Sequence, residues 1–335
     1  MSAQSNLRLA IVIPIFNEKE SIEQFHQQLV EVLDVLPYST GIYYIDDGST
    51  DTSQELVALI AAADSRVTIV ELSRNFGHQS AITAGLDLAH GDAVITMDGD
   101  GQHPPELLPQ MMRLFEEGYD IVMTQRVNEQ SLGVLKRITS RTFYWLINRL
   151  GDTHIQPGSA DFRLHSRSVV DAINEMGDYH RFIRGMVAWV GFRTVIIPFA
   201  PPERIGGQSK YSFAKMVRLS MDAVFSFSLV PLRIGILLGL FFLFLALLEM
   251  AYVLSFWIVG QENQLVPGWS SLMFVILIVG GFLMVTLGFV GIYIGYIFQQ
   301  VKGRPPYIVK RTEGGREAVT PNTGRSRREL EIEES

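Results

Sequence analysis

Two long apolar runs in the last third of the chain set the first limit on what it can become. Leu229–Gly260 and Ser271–Phe298 each exceed the ~20 apolar residues that cross the hydrocarbon core of a bilayer. Backbone in that environment has to satisfy its own hydrogen bonds, so both runs are expected as helices. The connector QENQLVPGWS carries no Lys or Arg, whereas Lys302, Arg304, Lys310 and Arg311 follow the second run. The asymmetry of basic residues predicts a multi-pass protein of the inner or plasma membrane, with both chain ends cytoplasmic and the connector outside. The early run LAIVIPIF is too short for a signal peptide and lacks its cleavage pattern, so it reads as a buried strand.

Ahead of the apolar runs the chain alternates. Leu9–Ile15, Ile42–Ile45, Val67–Leu72, Ala93–Met97 and Asp120–Thr124 read as strands, with helix-like segments between them. In one such segment Ile22, Phe25, Leu29, Val32 and Leu36 form a stripe at helical spacing. This alternation predicts an α/β fold, a mostly parallel sheet with helices on both faces. The chain is expected to divide into a cytoplasmic catalytic domain over 1–210, an interfacial amphipathic helix over 211–228, a two-helix transmembrane hairpin over 229–300 and a partly disordered cytoplasmic tail over 301–335. The interfacial helix is read from Phe213, Met216, Val217, Met221, Val224 and Phe225 on one face, with Lys215 and Arg218 beside them.

Charge is divided as sharply as hydropathy. Residues 1–125 hold 5 Lys/Arg against 19 Asp/Glu, while 126–233 hold 15 against 8. A basic middle part suits an anionic partner such as a phosphate or a membrane surface, and Lys136 and Arg137 open a stretch where basic residues interleave with aromatic and aliphatic ones. Cysteine is absent, which excludes disulfides and thiolate metal sites.

A polar cluster follows every strand: PIFNE, DDGSTD, SRNFGH, DGDGQH, and the pair Gln125 and Arg126. In open α/β sheets ligands bind at the carboxyl ends of the strands, and five clusters on one edge exceed what turns require. The fourth, in VITMDGDGQHPPE, sets carboxylates and an amide among glycines that let backbone approach a ligand. Such oxygen donors suit a hard cation, Mg²⁺ or Mn²⁺, that leaves positions open for substrate phosphates. The chain has no G-x-x-x-x-G-K-[ST], no G-x-G-x-x-G after the first strand and no H-E-x-x-H, which argues against a P-loop enzyme, a dinucleotide oxidoreductase and a zinc hydrolase of that type. What remains is a nucleotide diphosphate held through a metal.

Six motifs, IPIFNE, DDGSTD, SRNFGH, MDGDGQHPPE, GSADFRL and GGQSKY, resemble in order and spacing those of family 2 inverting glycosyltransferases. More narrowly they resemble the membrane-anchored polyprenyl-phosphate glycosyltransferases, such as dolichol-phosphate mannose synthases and bactoprenol glucosyltransferases. The family usually reads D-A-D-L-Q where Gly99 and Gly101 stand here, and Gly where Ala160 stands. The resemblance implies a nucleotide-sugar transferase domain of GT-A type. It implies that Pro14, Phe16, Glu18, Ile45 and Asp47 line the nucleoside pocket, that Asp98 and Gly99 lie against the nucleotide, and that Asp100 and Gln102 hold the metal. Arg126, Lys136, Arg137, Arg204 and Lys210 are implied as phosphate and acceptor contacts, and Asp161 as the catalytic carboxylate beside Asp100 and Arg126.

The activity implied is hexosyl transfer, with inversion, from a nucleotide sugar, UDP-glucose being the first to test, to a polyprenyl phosphate. Two other readings stay open: a polysaccharide synthase, which needs more spans for a channel, and a non-catalytic nucleotide-sugar-binding membrane protein. Homo-oligomerisation is left open and no nucleic-acid partner is expected.

Overall fold

A computed structural model describes residues 7–127, 158–178, 181–202, 230–259 and 268–314. Its centre is an eight-stranded mixed sheet: β1 Arg8–Ile15, β2 Ser39–Asp46, β3 Val67–Leu72, β4 Ala93–Thr96, β5 Ile121–Arg126, β6 Ser159–Ser166, β7 Thr194–Phe199 and β8 Val309–Gly314, in the order β7-β5-β6-β4-β1-β2-β3-β8. The five strands expected from sequence are present. The pairs β1–β2, β1–β4, β2–β3 and β5–β7 are parallel, whereas β6 runs antiparallel to both β4 and β5, and β8 antiparallel to β3. The sheet is therefore mixed rather than simply doubly wound.

β1 explains the layering. Its run of apolar residues is buried on both faces, as expected of a strand with helices above and below. Leu9, Ile11, Ile13 and Ile15 pack with Ile22, Phe25, Leu29 and Leu33 of α1 (Ile22–Leu33) and with Leu108, Met111 and Met112 of α4 (Leu108–Glu116). The alternate residues Ala10 and Val12 face α3 (His78–Leu88), α5 (Arg167–Glu175) and α6 (Ile183–Trp189). Val32 and Leu36, the rest of the predicted stripe, are partly buried against the first of these layers. Helix α2 (Ser53–Ala63) covers the β2–β3 side through Val57.

Two long helices follow, α7 Val230–Val259 and α8 Trp269–Val301, over the two apolar runs of the sequence. Among the described residues the stretch Ile278–Val301, with mean hydropathy 2.1, is long and apolar enough to cross a membrane, while Gly235–Leu245 of α7 stands out as a shorter apolar piece. Gly235 faces Thr286, where an added Cβ would come within 2.9 Å of Thr286 Cγ2, so the two helices lie close there. Leu237, Phe241 and Phe244 on α7 and Leu283, Met284 and Leu287 on α8 are exposed, an apolar surface larger than soluble monomers usually show.

The chain then returns to the sheet. Tyr307 donates its hydroxyl to Asp87 Oδ2 at 2.7 Å, Ser73 N–H donates to Ile308 O at 2.9 Å, and β8 pairs with β3, where Lys310 also meets Glu71. The tail expected over 301–335 thus contains a strand of the sheet. The expected interfacial helix over 211–228 lies outside the described residues.

Helix α3 is pressed directly onto β1. A Cβ built on Gly85 would sit 2.1 Å from Val12 Cγ1, so only glycine lets this helix approach as it does. Gly85→Ala should cost about 1–3 kcal/mol of stability through overpacking, read as a lower thermal midpoint of the purified protein. An unchanged midpoint would mean that α3 can retreat from β1 without loss.

Candidate active site

The clusters that follow β1, β2, β3 and β4 gather at one edge of the sheet, as the parallel pairing requires. Two of them are stitched together. Asn17, in the left-handed region at φ 54°, receives Thr50 N–H on Oδ1 at 2.8 Å, and its own N–H donates to Ser49 Oγ at 3.0 Å. Glu18 N–H donates to Ser53 Oγ at 2.8 Å. Phe16 and Glu18 are half-buried at this junction.

Pro14 and Ile45 are register partners across β1 and β2, and both are buried. Ile45 belongs to the hydrophobic core, so it underlies the edge. Asp47 is buried as well, and both its oxygens are engaged: Oδ1 accepts from Phe76 N–H at 2.7 Å and Oδ2 from Gly77 N–H at 2.9 Å. Burial pushes its carboxyl up despite these two amide donors. Asp47 thus clamps the loop that leads into α3.

β6 is what completes the edge. Thr96 of β4 is the register partner of Arg163, so Asp98, two residues past Thr96, and Asp161, two residues before Arg163, lie at the same level of neighbouring strands. Thr96 Oγ1 donates to Asp161 O at 2.8 Å. The Asp161 carboxylate is gripped by Arg184, Nε to Oδ1 at 2.8 Å and Nη2 to Oδ2 at 2.9 Å, the two-pronged geometry that makes arginine–carboxylate pairs strong. Arg163, beside it in sequence, is more distant at 3.8 Å and turns its Nε to Ala160 O. Burial by itself would raise the Asp161 carboxyl, but Arg184, His78 and Arg163 outweigh it and hold it well below the usual carboxylate range. A carboxylate held that way is a poor proton acceptor.

His78, the first residue of α3, lies between the two carboxylates, its Nε2 3.7 Å from Asp98 Oδ1 and 3.6 Å from Asp161 Oδ2. Burial opposes its charge, yet contact with Asp161 and the fields of Asp98 and Asp161 raise its pKa to about 9. His103 braces Asp98 from the other side. Its Nδ1 accepts the Asp98 backbone N–H at 2.8 Å, which leaves the ring proton of the neutral form on Nε2, 3.6 Å from Asp98 Oδ2. Burial lowers the His103 pKa, and its ring stacks on Phe162 at 5.2 Å.

Asp100 is buried and accepts Gln102 N–H on Oδ1 at 3.0 Å, and Arg126 reaches Gln102 Oε1 at 3.4 Å. Among the described residues no group of three or more His, Cys, Asp or Glu forms a cage. Mg²⁺ is commonly held by one or two carboxylates together with substrate phosphates. The hard oxygen donors of Asp100 and Gln102, beside an arginine, fit that partial set. Gly101 has φ 81°, which favours glycine, whereas Gly99 carries no such demand and a Cβ there would meet only Ile13 and Ile15 side chains.

The structure therefore brings together Asp98, Asp161, His78 and Arg184, with Asp100, Gln102 and Arg126 adjoining through the β4–α4 loop. Lys136, Arg137, Arg204 and Lys210 lie outside the described residues. Sequence reasoning assigned no role to His78, His103 or Arg184. The histidines close two of the polar clusters, and Arg184 is the lone charge in IRGMVAW, a helix whose Ile183, Gly185, Met186 and Val187 are buried.

Residues 10–173 match the family described as Glycosyl transferase family 2. An uncharacterized glycosyltransferase of Synechocystis sp. is 38% identical over 307 residues, covering 90% of this chain and 95% of the relative. A prophage-derived bactoprenol glucosyl transferase of Shigella flexneri is 36% identical over 309 residues, covering 92% and 99%. Among solved structures, glucosyl-3-phosphoglycerate synthase from Mycobacterium tuberculosis, in complex with Mn²⁺, UDP and glucosyl-3-phosphoglycerate, superposes with TM-score 0.45 at 16% identity, covering 66% of this chain and 79% of that one. Nothing about this chain's chemistry follows from a likeness at that level. The chain belongs to glycosyl transferase family 2.

The raised pKa of His78 has a sign that can be checked. A cation whose folded pKa lies above its ordinary value of 6.5 contributes its full stabilisation below pH 6.5 and loses it as pH rises through about 9. The gap in thermal midpoint between wild type and His78→Gln should be widest below pH 6.5 and close above about 9. A gap that stays constant across that range would show that His78 is not held as a cation.

Proposed function

We propose that this chain transfers a hexosyl group, glucose the first to test, from a nucleotide diphosphate sugar to a polyprenyl phosphate at the cytoplasmic face of the membrane, with inversion at the anomeric carbon. The observation that carries this reading is the extent of the match to a bactoprenol glucosyl transferase, which spans 92% of this chain and 99% of that relative, long helices included. The helix α8, with a stretch long enough to cross a bilayer, supports delivery of a lipid acceptor to a site joined to it.

In this reading the stitched loops after β1 and β2 receive the nucleoside, with Phe16 and Glu18 at its border and Pro14, Ile45 and Asp47 as the buried support. Asp98 and Gly99 lie beside the nucleotide. Asp100 and Gln102 would hold Mg²⁺ or Mn²⁺, whose contribution when bound is to offset negative charge on the departing diphosphate. Arg126 would contact phosphate, and Lys136, Arg137, Arg204 and Lys210 would add contacts to donor or acceptor phosphate.

A phosphate monoester has its second pKa near ~6, so at neutral pH the acceptor oxygen is already ionised. Asp161, with its depressed pKa and its grip on Arg184, suits orientation of the reactants more than proton removal. The decisive assay incubates the purified full chain with a panel of nucleotide sugars and a polyprenyl phosphate and weighs the lipid product. Absence of any glycosylated lipid would overturn the reading.

Two mutations follow. Asp100→Asn should abolish turnover while leaving the thermal midpoint nearly intact, and excess chelator should silence the wild type. Full activity in chelator would remove the metal from the reading. Asp161→Asn should lose about a hundredfold in turnover, the scale expected when reactants are misplaced by an ångström or so. Raising the pH from neutral should not restore it. A rate that climbs about tenfold per pH unit in the mutant would identify Asp161 as a base that solvent hydroxide replaces.

A further inference from the structure

We propose that His78 is a positioning residue for glycosyl transfer, a single cationic side chain that ties the donor-side carboxylate Asp98 to the candidate catalytic carboxylate Asp161 and is itself set in place by Asp47. This inference rests on the transferase reading above and names a residue that the reading does not require.

The geometry has three parts. First, the imidazole Nε2 lies 3.7 Å from Asp98 Oδ1 and 3.6 Å from Asp161 Oδ2, so one atom is shared between side chains that come from β4 and from the antiparallel β6. Second, the backbone just before His78 is fixed. Asp47 accepts the N–H groups of Phe76 and Gly77 at 2.7 and 2.9 Å, and Gly77 takes φ 100°, a conformation that favours glycine, as the chain turns into α3. Third, the charges that face His78 come from four separate elements: Asp47 after β2, Asp98 after β4, Asp161 on β6 and Arg184 on α6. Asp98 and Asp161 outweigh Arg184, so a cation is the form this position favours.

The two carboxylates have different neighbours otherwise. Arg184 grips Asp161 through both its oxygens, and His103 braces Asp98 through its backbone N–H. His78 meets both carboxylates through one atom. Without it each carboxylate keeps its own support, and what is lost is their mutual alignment. The expected signature is therefore a fall in the rate of the bound complex with donor binding preserved.

The test uses the full chain in detergent micelles with UDP-glucose and a polyprenyl phosphate. His78→Gln should lower kcat at least tenfold while KM for the donor stays within threefold of wild type. His78→Lys, which restores a cation on a flexible stem, should recover most of that loss. Wild-type kcat in His78→Gln, a loss confined to KM, or a lysine variant as poor as the glutamine one would each overturn the proposal.

A second measurement does not depend on turnover. Thermal midpoints of His78→Gln, Asp161→Asn and the double mutant should be non-additive, the double mutant falling by less than the sum of the two single shifts, because the contact between the two side chains is lost in either single mutant and cannot be lost twice. Midpoint shifts that simply add would overturn the proposal. Failure of the transferase reading would instead show as a wild type that makes no glycosylated lipid, and it would leave this comparison standing.

Discussion

Two carboxylates from different strands, Asp98 and Asp161, share one neighbour at under 4 Å, and the surroundings are arranged so that both charges can persist. Like charges held on either side of one atom repel, and more strongly where the site is partly buried. His78 and Arg184 offset that repulsion directly, and Arg163, almost wholly buried, adds a more distant positive charge. The balance is local, and it depends on strands that bring side chains to the same level without requiring them to touch. The antiparallel entry of β6 between β4 and β5 provides that.

The same strand links the site to the core. Phe162 points away from Asp161 into the layer that holds α1 and α4, where it stacks on His103 and meets Phe199 edge-on. His103 in turn fixes the backbone of Asp98. Packing of apolar rings on one side of the sheet therefore sets the position of a carboxylate at its edge. A cavity made at Phe162 would be felt as a misplaced Asp98.

Much of this was legible in the chain. Strands β1 to β5 announce themselves as apolar runs that stop at polar clusters, because a strand buried on both faces has to be apolar throughout and its ligand edge does not. The order of the clusters along the chain becomes their juxtaposition in space. β6 was hidden for the opposite reason: SADFRLHS buries Arg163 and His165 and half-buries Asp161, and buried charge reads from sequence as a loop. β7 carries Pro198 near its end and forms the sheet's outer edge, where proline is tolerated. β8 reads as a polar tail because it pairs along an edge rather than within the core. The partner of Asp161 was not legible for a related reason. Arg163 is the near neighbour in sequence, but alternate residues of a strand share a face without sharing a hydrogen bond, and the helix α6 delivers Arg184 from across the fold.

The place of β8 in the chain fixes an order of assembly. Ile69 pairs with Glu313, so the edge of the sheet at β3 remains open until synthesis has passed both long helices. An open edge built on Val67, Ile69 and Val70 is a template for pairing with other chains. Strand β8 is thus made only after the two long helices, and the finished sheet reports that the helices have left the ribosome. A version cut off before α7 would lack the strand that caps its own sheet. Separating this enzyme from its helices therefore means carrying Val309–Gly314 along with the part that is kept.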